Sequence, residues 1–451
     1  MLKLKTKMIR IYFSVLFLSA FYGAQSQSVW TELGSMPMAV ANNAVTQAHV
    51  GDTTYVYSFG GIDTTKALTG ITQASMKYNT ITDVWSFIPD LPDTLGKIAS
   101  GASTVNNIIY ITGGYHVFPS SPFELSSDKI HRYDPVTNNY LSDGMPMPFP
   151  IDDQVQAVWR DSLIFMITGW SDNGNVSHVQ IYDPAFDSWQ VGTSTPNNNA
   201  YQAFGASGVI IGDTIFYNGG AAGSSFNSVD FMRKGLINPD DPTDIVWDLL
   251  EDSPGAKGYR MASVAIDDQA YWIGGSGITY NYDGIAYNGS GGVPPLHRIL
   301  SYNSSLQSWY EELDQPYGVM DLRGVAKIDE NKFIICGGMT TNQTVSDKTF
   351  LICIDVNVGL EEVNHTDNFQ IYPNPVSRGN SLKVMLNASL ISTYTRYNVL
   401  NELGQRVISS TIPSTVKLFT IPTGTLSVGF YTLELVSNKG NVSAVKIVVS
   451  G

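Results

Sequence analysis

The chain has 451 residues, more than one hydrophobic core usually organises, so two or three segments are expected. A formal charge of −14 leaves no excess of Lys and Arg to displace counterions from phosphates, which disfavours nucleic acid as a partner. Only 15% of residues are charged while Gly, Tyr, Thr, Ser and Asn abound, a composition that suits short strands and tight turns, so an all-β fold is predicted.

Lys3, Lys5, Lys7 and Arg10 precede an apolar stretch over 11–20, and Ala24 and Ser26 stand at small-residue cleavage positions. Residues 1–26 therefore read as a signal peptide, with the mature chain starting at Gln27. The apolar stretch is short for a bilayer, and no later segment holds about eighteen consecutive apolar residues.

From there the sequence repeats itself. Runs rich in β-branched and aromatic residues end in glycine at 55–61, 108–114, 163–170, 215–220, 270–275 and 333–338, at a spacing near the roughly fifty residues of one blade-forming unit. Downstream, aromatic residues recur seven positions apart: Tyr78 with Trp85, Tyr133 with Tyr140, Tyr182 with Trp189 and Tyr302 with Trp309. In Tyr133-Asp134-Pro135 and Tyr182-Asp183-Pro184 the proline presets a turn and the aspartate accepts local backbone hydrogen bonds, so hairpins are expected. The fourth unit instead runs from Phe231 to Trp247 through Asn238-Pro239 and Asp241-Pro242, which predicts an enlarged turn. The third unit shows Gly169-Trp170 for the glycine pair, and Ile354-Asp355 stands for Tyr-Asp in the last.

These landmarks resemble the kelch repeat over about residues 28 to 356. The resemblance implies a six-bladed β-propeller over 27–357, with the segment at Val29-Trp30 supplying the outermost strand of the sixth blade and closing the ring. Cys336 and Cys353 lie in neighbouring apolar runs, and two readings stand open: a cross-strand disulfide, or two free buried thiols.

Residues 358–368, with Glu361, Glu362 and Asp367, read as an acidic linker, and 369–451 as a small Ig-like antiparallel β-sandwich of roughly seven strands. Its signposts are Tyr372-Pro373-Asn374-Pro375, Leu403-Gly404, Gly429-Phe430-Tyr431 and Lys446. Together they resemble the type A sorting domain of the bacterial type IX secretion system. That resemblance implies the type IX machinery as a partner, and release or attachment to outer-membrane surface polysaccharide. The location it implies is secreted or on the outer surface of a Gram-negative cell.

Propellers place ligands at one mouth of the central channel. Two long segments are candidates there: Tyr115, His116, Phe118, Phe123 and Glu124 after Gly114, and Tyr280, Tyr282, Asp283 and Tyr287 after Gly275. Rings with a few carboxylates suit a carbohydrate platform, because sugar CH faces stack and hydroxyls need acceptors. A polar set near the starts of the innermost strands, Asn43, Lys97, Asp153, Gln202, Arg260 and Arg323, is expected to line the channel. Arg260 and Arg323 beside Asp153 fit an anionic sugar or a peptide carboxylate, but the favoured reading of this polar set is hydrogen bonding from blade to blade that closes the ring. The histidines show no metal-ligand spacing and no nucleotide fingerprint stands out, so no metal and no cofactor are expected.

The favoured reading is an exported binding module for a glycan or a surface protein. One alternative is a sugar-ring epimerase or mutarotase acting on an acidic sugar such as sialic acid, and another is a structural or adhesive surface component. Deleting 369–451 is expected to abolish arrival at the cell surface or in the medium. Fractionation checks this, and undiminished export of the truncated chain would overturn the sorting-domain reading.

Overall fold

The computed structural model describes residues 27–355, 369–387, 393–401, 405–438 and 442–450. The expected signal peptide, the linker and the turn at Leu403-Gly404 lie outside the described residues. Among the described residues the long elements are all strands, with two short 3-10 turns and no α-helix. Contacts divide them into two units, 27–355 and the part from 369 onward.

The first unit contains six main sheets, four of four strands and two of five, together with three two-stranded ribbons. The innermost strands of the main sheets are Ala44–Val50, Ile98–Val105, Val155–Trp159, Ser207–Ile211, Ala262–Ile266 and Ala326–Asp329; successive ones touch around the channel, Ala262–Ile266 meeting the sixth blade at Arg323–Gly324. Ala44 and Val45 also pair in parallel with Arg323 and Gly324, joining the first sheet to the sixth. The sixth sheet takes its outermost strand from the other end of the repeat region: Gln27–Glu32 lies antiparallel to Thr349–Asp355. The core sits between blades. Phe165, Ile167 and Ile181 of the third blade, for example, pack against Ile215, Tyr217 and Ile245 of the fourth.

Two rings of hydrogen bonds explain the sequence landmarks. The second glycine of each pair donates its N–H to a carbonyl of the next blade: Gly61 to Lys97, Gly114 to Ile151, Gly169 to Ala203, Gly220 to Gly258, Gly275 to Val319 and Gly338 to Val40, at 2.7–3.1 Å. The residue before it faces the same carbonyl. At Gly274, φ is +64° and a Cβ would stand 2.2 Å from the Val319 oxygen, so both the conformation and the close approach require glycine. In the third unit the pair is Thr168-Gly169, not Gly169-Trp170. Thr168 holds φ +48°, unusual for a β-branched residue, while its hydroxyl accepts from the Ala203 N–H at 3.0 Å and donates to the Val176 carbonyl at 2.8 Å.

The outer ring is aromatic. Tyr78 and Trp85, Tyr133 and Tyr140, Tyr182 and Trp189, and Tyr302 and Trp309 are cross-strand partners with ring centroids 4.9–5.4 Å apart. Each outer member also reaches back to the preceding blade or the segment leaving it. Trp85 donates to Thr349, Trp189 to Met145, Trp247 to Thr193 and Trp309 to Glu251, and the Tyr140 hydroxyl meets that of Ser75. Trp30 donates to Gln315 at 2.6 Å and so completes the series in the sixth blade. Its partner across the strands is Ile352, so Ile352-Cys353 rather than Ile354-Asp355 occupies the Tyr-Asp place. In the fourth blade the insertion lengthens the strands, Met232–Asn238 and Asp241–Leu249, instead of enlarging the turn. Trp247 there faces Gly235 and packs on Tyr217, whereas Phe231 is not its strand partner.

Cys336 lies opposite Thr349 and Cys353 opposite Lys332, at opposite ends of one strand pair. That register places the thiols beyond disulfide reach, and both are free. Burial pushes the Cys336 thiol up to about 12, which leaves it an inert core residue.

The second unit packs a three-stranded sheet, Phe369–Tyr372, Ser381–Leu386 and Leu418–Pro422, on a five-stranded one. The latter runs Val376–Ser377, Val442–Ser450, Gly429–Ser437, Tyr394–Leu400 and Arg406–Thr411. Leu382, Val384, Val399, Leu433, Leu435 and Ile447 fill the space between them. Among the described residues eight strands form the sandwich, and Val376–Ser377 pairs in parallel with Val449 and Ser450, a departure from the purely antiparallel expectation.

Gly274→Ala is expected to lower stability by about 3 kcal/mol, combining a disfavoured φ with a displaced inter-blade bond. Thr168→Gly should change it by less than about 1 kcal/mol, because relieved strain offsets two lost hydroxyl bonds. Denaturant unfolding of the two variants checks both, and an equal loss in each would contradict this account of the pair.

Candidate functional site

A third ring lies at the channel mouth. The residue leading into each innermost strand has positive φ: Asn42, Ala99, Asp153, Gly205, Arg260 and Asp321, between 48° and 64°. Asn42 donates its N–H to the Asp321 carbonyl, Asp153 to Ala99, Gly205 to Asp153, and Arg260 to Gly205, at 2.8–3.1 Å. The Asn42 side chain accepts from the Ala99 N–H at 2.9 Å, and Leu322 N–H donates to Arg260 at 3.2 Å, which completes the circle. Asp153 and Arg260 therefore stand where the sequence placed them, but three others do not. Asn43 donates to Ser58 within its own blade, Lys97 is buried 3.2 Å from Asp93, and Gln202 donates to Asn197. The repeat is degenerate at these positions and insertions of one or two residues shift the count.

Arg260 is fully buried and tied across three blades. Its Nε and Nη2 reach both carboxylate oxygens of Asp153 at 3.2 and 2.6 Å, and Nη1 reaches Asp321 at 2.9 Å. Arg323 approaches Asp153 at 3.5 Å and donates to the Gln154 carbonyl at 2.9 Å. Burial works against the Arg260 charge, yet Asp153 beside it outweighs this and holds the guanidinium well above its ordinary range. An incoming anion thus meets an arginine already neutralised, and the blade-bonding role is the one the geometry realises.

Above this cluster is a cavity of about 100 Å³ lined by Tyr115, Glu124, Asp152, Asp153, Trp170, Phe204, Phe226, Arg260, Asn281 and Tyr287. Tyr115 and Glu124 sit on a β-ribbon rather than a loose loop, since Ile108–Val117 pairs with Glu124–Ser126. Trp170, Phe204, Phe226 and Tyr287 form an aromatic wall, with edge contacts of 5.4 Å for Trp170 to Phe226 and 4.9 Å for Phe226 to Tyr287. Asp152 accepts from the Ser126 hydroxyl at 2.6 Å. Its carboxyl lies well above the ordinary range, through burial first and then the charge of Asp153. Desolvation against the pocket wall also raises Glu124, with Arg260 opposing.

The cavity brings together Tyr115, Glu124, Asp153 and Arg260 of the expected site. Arg323 instead lines a separate channel cavity of about 290 Å³ with Thr46, Ser103, Gln156 and Lys327. His116 turns to the Gly96 carbonyl at 3.1 Å and lies 3.8 Å from Asp93. Tyr282 is half-buried against the cluster holding Tyr280 and Met339, and Asp283 accepts from the Ile285 N–H, so neither lines the cavity. The sequence reading missed Asp152, Phe204, Phe226, Asn281 and Asp321. Only the adjacent Asp152-Asp153 pair was visible as a signal, because the others reach the mouth from separate blades.

In the second unit the sorting signposts converge on the last strand. Asn374 donates to the Lys446 carbonyl at 2.9 Å and accepts from the Val448 N–H at 2.8 Å, with Pro373 and Pro375 exposed on either side. Lys446 lies 4.1 Å over the Phe430 ring, Gly429 faces Val449, and the Tyr431 hydroxyl donates to the Ser427 carbonyl. Gly404 is outside the described residues.

Residues 370–450 match the family described as a secretion system C-terminal sorting domain, and residues 99–140 match the kelch motif. Similar proteins include Kelch-like protein 25 of Xenopus tropicalis, 28% identical over 46% of this chain and 33% of its own length. Kelch-like protein 15 of Homo sapiens is 24% identical over 61% of this chain and 43% of its own. The chain therefore spans less than half the length of these relatives. Among solved structures, one titled "Structure of YjhT" aligns with a TM-score of 0.57 and 16% identity, covering 72% of this chain and 98% of that one. The fold and the tail define an exported all-β propeller protein. The chain is a kelch-repeat β-propeller with a C-terminal secretion sorting domain, carried by type IX secretion to the cell surface or medium.

Asp321 supplies a pH test. Burial pushes its carboxyl up to about 6 from 3.8, with Arg260 opposing. The folded state thus holds a proton that the unfolded chain has lost, so this contribution to stability is full below about pH 4 and lost as pH rises through about 6. The stability of the wild type relative to Asp321→Asn should fall between those pH values. Urea unfolding at both ends of the window checks the sign, and a rise would contradict it.

Proposed function

We propose that this protein is an exported binding module that engages a glycan or protein ligand at the channel mouth. The observation that carries this reading is the cavity over Arg260: five rings and two incompletely bonded carboxyls face one opening, and its floor is closed by charge pairs. At about 100 Å³ it falls below the roughly 300 Å³ of a site that encloses a whole small molecule, so it suits a protruding group of a larger ligand. Tyr287, which lines the cavity and is partly exposed, supplies contact area for the remainder. An enzyme for acidic sugars would rely on open arginines, and the engagement of Arg260 by Asp153 and Asp321 favours binding over that alternative.

Saturation-transfer NMR of the protein against neutral, amino and acidic sugars and short peptides tests the reading. Contact with at least one class, weakened about tenfold in Tyr287→Ala, is expected without faster anomer exchange. Contact indifferent to Tyr287→Ala would move the ligand elsewhere. Accelerated exchange would revive the mutarotase alternative.

A further inference from the structure

The charge around the cavity is unbalanced. Asp153 is paired with Arg260 and Arg323, and Arg260 is bonded to Asp321 as well, whereas Glu124 and Asp152 line the cavity with no ion pair among the described residues. Tyr115 is 5% exposed and lines the cavity, and its hydroxyl has no hydrogen-bond partner among the described residues. Asp152 is 4% exposed and uses one carboxyl oxygen on Ser126, leaving the other without a partner among the described residues. Facing the cavity, these atoms are free to accept further hydrogen bonds, and an ammonium group, with three donors and no acceptor, complements them. The wall of Trp170, Phe226 and Tyr287 adds ring quadrupoles that attract a cation and shelter the methylenes behind it.

Resting on the binding reading above, we infer that the cavity is a lysine pocket: it takes the ammonium end of a lysine side chain presented by a partner protein. Size decides between sources of an amine. A volume of about 100 Å³ admits the end of an unbranched aminoalkyl chain, whereas the amine of an amino sugar is fixed next to its ring and is held at the rim. Burial and the charge of Asp153 raise both Asp152 and Glu124 against the opposing Arg260, and a cation seated beside them would lower both.

Titration calorimetry of the full chain with Nα-acetyl-lysine amide, its Nε-acetylated form, Nα-acetyl-arginine amide and glucosamine tests the inference. The lysine probe is expected to bind about tenfold more tightly than the Nε-acetylated one, the cation contributing that margin. Glu124→Gln should weaken the lysine probe several-fold and the Nε-acetylated probe by a smaller factor, so that the margin between the two narrows. Equal binding of the two lysine forms, or tighter binding of arginine or glucosamine, would overturn the lysine assignment. If lysine fails while another ligand still loses affinity in Tyr287→Ala, the pocket stands and only its occupant was misassigned. If no ligand responds to Tyr287→Ala, the pocket itself fails.

Discussion

One backbone hydrogen bond, repeated around the ring, carries the architecture. A sheet of four strands cannot bury both faces alone, so each blade must dock on its neighbours, and the docking distance is set where a glycine N–H meets the next blade's carbonyl. Side chains would hold the blades apart at that point. The aromatic pairs then fill the outer gap between blades and tie each to the one before it. Because every blade needs two partners, the sixth is assembled from both ends of the repeat region, with Trp30 taking the place the other blades fill locally.

Closing the ring brings six strand starts to one small circle, and the chemistry of the mouth follows from that crowding. Each start turns through positive φ, which Asn, Asp and Gly accept readily and which costs about 1 kcal/mol or more at Ala99 and Arg260. At Arg260 the strain is offset by charge-assisted bonds to Asp153 and Asp321. Buried ion pairs of this kind add little net stability, since desolvation opposes the attraction, and here they link the third, fifth and sixth blades. Their side effect is electrostatic. With Arg260 engaged, Asp152 and Glu124 remain in the cavity above without a cation of their own.

The sorting domain solves a different problem with similar means. Its Tyr-Pro-Asn-Pro segment cannot continue a strand ladder through two prolines, so Asn374 uses its side-chain amide to bond the backbone of the last strand at Lys446 and Val448. Residues separated by about seventy positions in sequence thereby share one edge of the sandwich.

What the sequence determined by itself was everything written in short-range signals. The glycine pairs, the aromatic residues seven apart, the Asp-Pro turns and the alternating C-terminal runs each act within one hairpin, so the propeller, the sandwich and the sorting tail were legible. Asp153, Arg260, Tyr115 and Glu124 were legible as candidates for the mouth for the same reason, each lying near a local landmark, and they line one cavity there. Tertiary structure decided what depends on register between blades. It placed Thr168 rather than Trp170 in the glycine-pair position, set Cys336 and Cys353 out of reach of each other, and sent Arg323 to the channel and His116 to Asp93. It also assembled Asp152, Phe204, Phe226, Asn281 and Asp321 at one mouth. A single-residue slip reverses the face a strand side chain occupies, and only the packing of one blade on the next fixes that count.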